Sequence, residues 1–156
     1  YSTFDWGIKD EDGYFFILGR TDDVINVAGH RLGTREIEES ISGHAAVAEV
    51  AVVGVADSLK GQVAMGFVIP RDTRELQTDA SKLSFEGEIM KLVDSQLGAV
   101  ARPSRIFVVS ALPKTRSGKI MRRILRKIAA GETEGLGDTT TLLNPEIIEE
   151  IIQGKI

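Results

Sequence analysis

The 156-residue sequence contains no cysteine. This excludes disulfides, a thiol nucleophile and cysteine-ligated zinc, and it suits a reducing compartment. Histidine is scarce too, with only His30 and His44. Neither has a sequence partner for a Ser-His-Asp arrangement, and two rings do not make a His-rich metal site. No run approaches the ~18 continuous apolar residues of a membrane span. The first residues carry neither the basic nor the apolar region of a signal peptide, so a cytoplasmic location is expected. Acids are missing from residues 113–127, whereas Lys114, Arg116, Lys119, Arg122, Arg123, Arg126 and Lys127 all fall there. The net charge is nevertheless −4. Such a patch suits phosphates or is a solvated helix face. Nucleic acid is the weaker option, because the patch has no interleaved aromatics on which bases could stack.

What is present reads as alternating strands and helices. Trp6–Lys9 and Tyr14–Leu18 flank Asp10-Glu11-Asp12-Gly13, a hairpin pattern. Gly19-Arg20-Thr21-Asp22-Asp23 has no bulky apolar residue and suits a joint between rigid units. Val24–Val27 is a short strand, residues 28–33 a tight turn, and Thr34 a candidate helix cap. Ile37 and Ile41 share the face of the following helix. His44, after Ser42-Gly43, is placed to meet terminal helix carbonyls. Val47–Val55 and Val63–Ile69 are β-prone runs joined through Lys60-Gly61-Gln62. Residues 71–83 read as a polar surface loop. Phe85, Ile89, Leu92, Val93 and Leu97 form a helical stripe closed by Gly98. Arg105–Ser110 is a strand, and Ile120, Ile124, Leu125 and Ile128 mark an amphipathic helix. Pro145 opens a short acidic helix over Glu146–Ile152. The expected fold is α+β: a central sheet flanked by two or three helices and preceded by a hairpin.

Pro113-Lys114-Thr115-Arg116-Ser117-Gly118-Lys119 lies between the last strand and the basic helix. Small hydroxylated residues around a lysine on a loop bring a mobile ammonium to a phosphate or carboxylate. The alternative is a solvated basic turn. A Walker A loop is excluded, because Pro113 stands where that motif needs glycine and Ile120 where it needs Ser or Thr.

The run Gly19 to Glu38, from Gly19-Arg20-Thr21-Asp22-Asp23 through Ala28-Gly29-His30-Arg31 to Glu36-Ile37-Glu38, resembles a signature of the acyl-adenylate-forming enzymes, the acyl-CoA synthetase superfamily. Pro113–Lys119 resembles that family's C-terminal catalytic-lysine motif. Tyr1-Ser2-Thr3-Phe4-Asp5 is similar to its Tyr-x-Thr-Gly-Asp element, with Phe4 in place of glycine. The resemblance covers essentially the whole chain and points to the short-chain branch, which activates propionate or acetate. Thr3–Gly7 and Gly33–Ile41 favour propionate; the helix after Lys119 is equally like the acetate enzymes.

The resemblance implies a two-step, AMP-forming ligase using ATP, CoA and Mg2+. It implies that residues 1–21 end a large N-terminal domain and residues 22–135 form a C-terminal lid with its hinge at Asp22. A tail with a short helix, residues 136–156, follows. By position, Asp5 holds the ATP ribose, Arg20 supports the nucleotide, Arg31 approaches its phosphates and Lys119 serves adenylation. Ala28 and Gly29 line the pantetheine tunnel. Ser42, His44 and Val47 match a magnesium site built mostly of backbone oxygens. An arginine for CoA phosphates is expected where Asp94 stands, leaving Lys91, Arg102 and Arg105 as substitutes. Lys119 is also the expected target of a lysine acyltransferase and deacylase. The opening residues lack an initiator methionine, so a fragment of a longer protein is expected. Alone it would be inactive, or a non-catalytic CoA- or nucleotide-binding module.

Overall fold

The computed structural model describes residues 5–20 and 23–154. Strands β1 (Asp5–Lys9) and β2 (Phe15–Arg20) pair antiparallel as the expected hairpin. Phe15, Phe16 and Ile17 are all exposed, as are Ile8 and Tyr14. Successive strand residues point to opposite faces, so these described apolar side chains are exposed on both faces of the ribbon.

The remaining strands form one mixed sheet. They are β3 (Val24–Val27), β4 (His30–Gly33), β5 (Val47–Asp57), β6 (Gly61–Pro70) and β7 (Arg105–Val108). Their order is β4-β3-β6-β5, with β7 parallel to β6. Helices α1 (Thr34–Ser42) and α2 (Asp79–Leu97) supply one core, with Ile37, Ile41, Phe85, Ile89 and Val93 against Val50, Val52 and Val68. Helices α3 (Arg122–Ala129) and α4 (Ile147–Gln153) supply the other, against Ala51, Val53, Val55 and Phe67. Strand β5 is therefore buried on both faces, which is why residues 50–55 are continuously apolar rather than alternating. The α+β reading holds: among the described residues three α-helices precede residue 135 and the fourth is the expected tail helix.

Four local expectations change. Only Ala28 and Gly29 form the tight turn, because His30–Gly33 pairs back on β3 through Asn26↔Arg31 and Val27↔His30. Thr34 is not a cap. Gly33, still paired with Val24, keeps extended dihedrals and takes the N-cap position, while Thr34 is buried within the helix. Residues 71–83 are not a plain loop. Asp72 accepts the Arg74 N–H to start a 3-10 turn over Thr73–Leu76, and α2 begins at Asp79 behind a reciprocal Thr78–Ser81 capping box. The His44 ring does not meet helix carbonyls: its Nδ1 accepts the Ala46 N–H at 3.3 Å and its Nε2 lies 3.5 Å from Glu88.

The tail is packed. Leu142, Ile147, Ile148 and Ile151 are buried in the second core. Among the described residues no helix is long and apolar enough to cross a membrane.

Candidate functional site

The lysine loop is a small hairpin held on three sides. Lys114 and Ile120 form an antiparallel bridge, and the Thr115 N–H donates to the Lys119 carbonyl at 2.8 Å. Inside it the Gly118 N–H closes a turn on the Thr115 carbonyl, also at 2.8 Å, and Gly118 has φ +82°. This is a three-residue connection in which a turn ends on a left-handed residue, the position that favours glycine. The Thr115 hydroxyl accepts the Lys119 N–H at 3.1 Å and lies 2.9 Å from the Ser117 hydroxyl. The small polar residues of the motif thus build the turn.

The flanks are tied down from elsewhere. Lys114 Nζ lies 2.7 Å from Glu49 on β5, and the Leu143 N–H donates to the Lys114 carbonyl at 2.8 Å. Asn144 reaches the Leu112 carbonyl at 3.3 Å. After the loop, Arg122 Nη2 meets both Glu38 oxygens, at 2.6 and 2.9 Å, and Glu38 also accepts the Val52 N–H at 2.8 Å. The Lys119 side chain is exposed and makes no hydrogen bond or ion pair among the described residues. The result is a braced backbone carrying an ammonium that is open to an incoming anion.

The second cluster lies at the other end of the long β5–β6 ribbon. Ala28 (φ +49°) and Gly29 (φ +85°) are the paired left-handed residues of a two-residue hairpin turn. The Ala28 N–H donates to the Lys60 carbonyl at 2.8 Å. Lys60 in turn follows Asp57, whose carboxylate accepts the Lys60 and Leu59 N–H groups at 2.8 and 2.9 Å. Those two backbone bonds hold the Asp57 carboxyl below the usual carboxylate range. Lys114 grips Glu49 at one end of β5, and the Ala28 turn sits beyond Asp57 at the other. At ~3.3 Å per residue these ends are about 25 Å apart. Arg31 is exposed on β4, near the Ala28 end.

Other expected residues are dispersed. Asp5 and Arg20 are backbone register partners in the β1–β2 hairpin. Asp22 and residues 1–4 lie outside the described residues. Ser42 is exposed, Val47 is buried, and His44 stacks edge-on against Phe85 with centroids 5.6 Å apart. A hard cation takes oxygen ligands, yet the His44 carbonyl already accepts the Val47 N–H and the ring is engaged on both nitrogens. No group of three or more His, Asp or Glu side chains assembles among the described residues. The expected site would draw mostly on backbone oxygens, and the His44 carbonyl keeps a second lone pair beside the one that accepts the Val47 N–H. Arg102 lies 3.8 Å from Asp94, whereas Arg105 stacks over Phe107 at 4.6 Å, in a separate cleft that Glu86 also lines.

Sequence reasoning missed Glu38, Glu49 and Asn144. Glu49 carried a signal, as an acid inside a strand-like apolar run. So did Asn144, as a side-chain hydrogen-bonder directly before Pro145. Glu38 carried none, because its partner is 84 residues away.

Fold and site define a small sheet domain that presents a braced, solvent-facing lysine at one end and a glycine-bearing turn at the other. A family model described as the AMP-binding enzyme C-terminal domain matches residues 36–119, more than half of the chain, and the chain belongs to that family. The match ends on Lys119. The chain is 61% identical over 153 residues to a propionate–CoA ligase of Escherichia coli (strain K12), covering 98% of this chain and 24% of that protein. It is 49% identical over 156 residues to an acetyl-coenzyme A synthetase of Pseudoalteromonas atlantica, covering all of this chain and 23% of that protein. A crystal structure of the Brucella canis acyl-CoA synthetase superposes with a TM-score of 0.64 at 38% identity, over 85% of this chain and 23% of that one. The chain thus spans about a quarter of the length of the curated relatives it matches.

Proposed function

We propose that this chain is the C-terminal catalytic lid of a cytoplasmic, ATP-dependent, AMP-forming short-chain acyl-CoA ligase. It makes propionyl-CoA from propionate, ATP and CoA by way of propionyl-AMP. The observation that carries this reading is Lys119, an exposed ammonium without a partner among the described residues, on a loop whose backbone is fixed on both flanks. Propionate is preferred to acetate because identity to a propionate–CoA ligase is 61%, against 49% to an acetyl-coenzyme A synthetase. The bare faces of the β1–β2 hairpin support its assignment to a preceding domain, which supplies the acyl pocket and most of the nucleotide site.

In the first step a carboxylate oxygen attacks the α-phosphorus of ATP, and the bond to pyrophosphate breaks. Both reacting groups are anionic, so the Lys119 ammonium between them stabilises charge that accumulates in the transition state. Arg31 attracts the nucleotide phosphates, Asp5 accepts the ribose hydroxyls, and Arg20 supports the nucleotide beside the joint. In the second step the CoA thiolate attacks the acyl carbon and AMP leaves. The Ala28–Gly29 turn serves this step, with small residues that leave room for pantetheine. Two functional ends about 25 Å apart cannot face one reaction centre together, so rotation about Asp22 presents them in turn. Magnesium enters with ATP, and the backbone oxygens of Ser42, His44 and Val47 would be the ligands of a further ion.

The test is Lys119→Ala in the whole enzyme. ATP–pyrophosphate exchange with propionate is expected to fall by about 10²–10³-fold, the range for loss of one charge-stabilising donor. Thioester formation from supplied propionyl-AMP is expected to persist. Equal loss of both half-reactions rejects the role. Acylation of Lys119 by a lysine acyltransferase removes the same charge and should reproduce the split, with a deacylase reversing it. The isolated chain should show no exchange.

A further inference from the structure

One side chain on β5 is out of keeping with the strand that carries it. Val50 and Val52 pack in one core, and Ala51, Val53 and Val55 in the other. Strand alternation puts Glu49 in the row of Ala51, Val53 and Val55, on the side of α3 and α4. An acid there breaks an apolar row. Val47 would fall in the same row, yet it packs in the first core. The reason is a bulge. The register of β5 against β6 shifts between Val47 and Glu49, which leaves Ala48 as the extra residue. Such a bulge re-aims a side chain and is common beside active sites. Here it returns Val47 to the first core and leaves Glu49 on the side of the lysine hairpin.

Glu49 Oε1 and Oε2 lie 2.7 and 2.8 Å from Lys114 Nζ. The side chains are 36% and 31% exposed, so both charges have lost much of their water. An apolar pair of similar volume commonly stabilises a fold as well as such an ion pair does. Stability alone therefore does not account for the acid.

Its partner sits where the tethers of the hairpin converge. The Lys114 N–H donates to Asn144 Oδ1 at 3.4 Å, and the Lys114 carbonyl accepts the Leu143 N–H at 2.8 Å. Lys114 also bridges Ile120, the neighbour of Lys119. Asn144 and Leu143 come from the tail, whereas Glu49 ties the same residue to the central sheet. The pair has a second consequence. With Lys114 matched to Glu49, Lys119 is the lysine of the hairpin left open to an incoming anion.

We infer that Glu49 is a positioning residue for the first half-reaction. Through Lys114 it fixes the hairpin on the sheet so that the Lys119 ammonium meets the reacting anions, and it touches no substrate itself. The inference rests on the proposed role of Lys119. It confines the effect to one half-reaction, because the Ala28 turn lies at the other end of β5.

The experiment uses Glu49→Leu/Lys114→Met, which removes the pair and roughly keeps its volume. In the whole enzyme, ATP–pyrophosphate exchange with propionate is expected to fall about 10- to 100-fold in kcat, as for a slightly misplaced reacting group. The KM for ATP and thioester formation from supplied propionyl-AMP should stay unchanged. In the 156-residue chain the urea midpoint should not fall, while amide exchange at Thr115 and Gly118 quickens. Glu49→Ala should lose pyrophosphate exchange likewise, and Glu49→Gln, which still accepts from Lys114, should recover most of it. Undiminished pyrophosphate exchange in the double variant, equal loss of both half-reactions, or a Gln variant no better than Ala overturns the assignment. So does a lowered midpoint with Thr115 and Gly118 as protected as before, since that marks a structural role only. Pyrophosphate exchange that survives Lys119→Ala refutes the ligase reading instead, while the amide protection still decides whether Glu49 holds the hairpin.

Discussion

Among the described residues Ala28 is the one non-glycine residue with positive φ, at +49°. Its Cβ then crowds the following carbonyl, which costs roughly 1–2 kcal/mol. Asparagine tolerates this conformation, and Asn-Gly is the preferred pair for such a hairpin turn. Ala28→Asn is therefore expected to stabilise the chain by about 0.5–1 kcal/mol, read as a higher urea midpoint at unchanged slope. No gain would mean that the turn is unstrained. On the proposed pantetheine role of this turn, the same variant in the whole enzyme should also raise the KM for CoA, because a longer side chain would narrow the channel. Much at this scale was legible. Gly118, Gly29 and Lys119 stand in short sequence-local patterns whose turn chemistry follows from the residues themselves. Their bracing was not, because Lys114–Glu49 and Arg122–Glu38 join residues 65 and 84 positions apart.

Elements were legible where the apolar period was strong and failed where it was weak. Strand β4 vanished into a turn because His30, Arg31 and Gly33 carry no β-prone signal, and only Leu32 packs inward. The start of α2 was hidden because its first turn is polar and Leu83 is exposed, leaving only the Thr78–Ser81 box to mark it. The contact among α1, β5 and α3 shows what such patterns cannot report. Val52 lies on an edge strand, and Glu38 caps its outward N–H while also holding Arg122. An edge group covered this way is unavailable to other chains. Arg122 Nε is buried without a partner among the described residues, so the guanidinium depends on Glu38 for compensation. Glu38→Ala leaves a strand N–H and a half-buried cation unpaired. The expected cost is about 2–3 kcal/mol, discounted because Arg122 keeps some contact with water. Glu38→Gln keeps the Val52 bond and should cost about 1 kcal/mol less. A double-mutant cycle with Arg122→Met should return a coupling of about 0.5–2 kcal/mol; additive losses would dissolve the proposed brace.

At the scale of the whole molecule, the question is whether residues 136–156 are an appendage or part of the sheet domain. Sequence gave them no period before Pro145, which suggested a tail. In the fold, Leu142, Ile147, Ile148 and Ile151 close the second core over α3 and β5. Leu142 bridges Thr115, and Leu143 and Asn144 hold the backbone around Lys114. Burying four such side chains contributes about 6–12 kcal/mol of gross apolar free energy. Ordering the segment offsets part of this, yet the surplus is set against a net stability of only about 5–15 kcal/mol. The tail also forms one wall of the lysine hairpin, so on the proposed role of Lys119 its loss should act at a distance on adenylation. Truncation after Gly135 is therefore expected to lower the urea midpoint, expose apolar surface to a hydrophobic dye, and speed amide exchange at Thr115 and Gly118. In the whole enzyme it should depress pyrophosphate exchange more than thioester formation from supplied propionyl-AMP. A truncated chain with the same midpoint and equally protected Thr115 and Gly118 amides would return the boundary to residue 135 and make the tail dispensable.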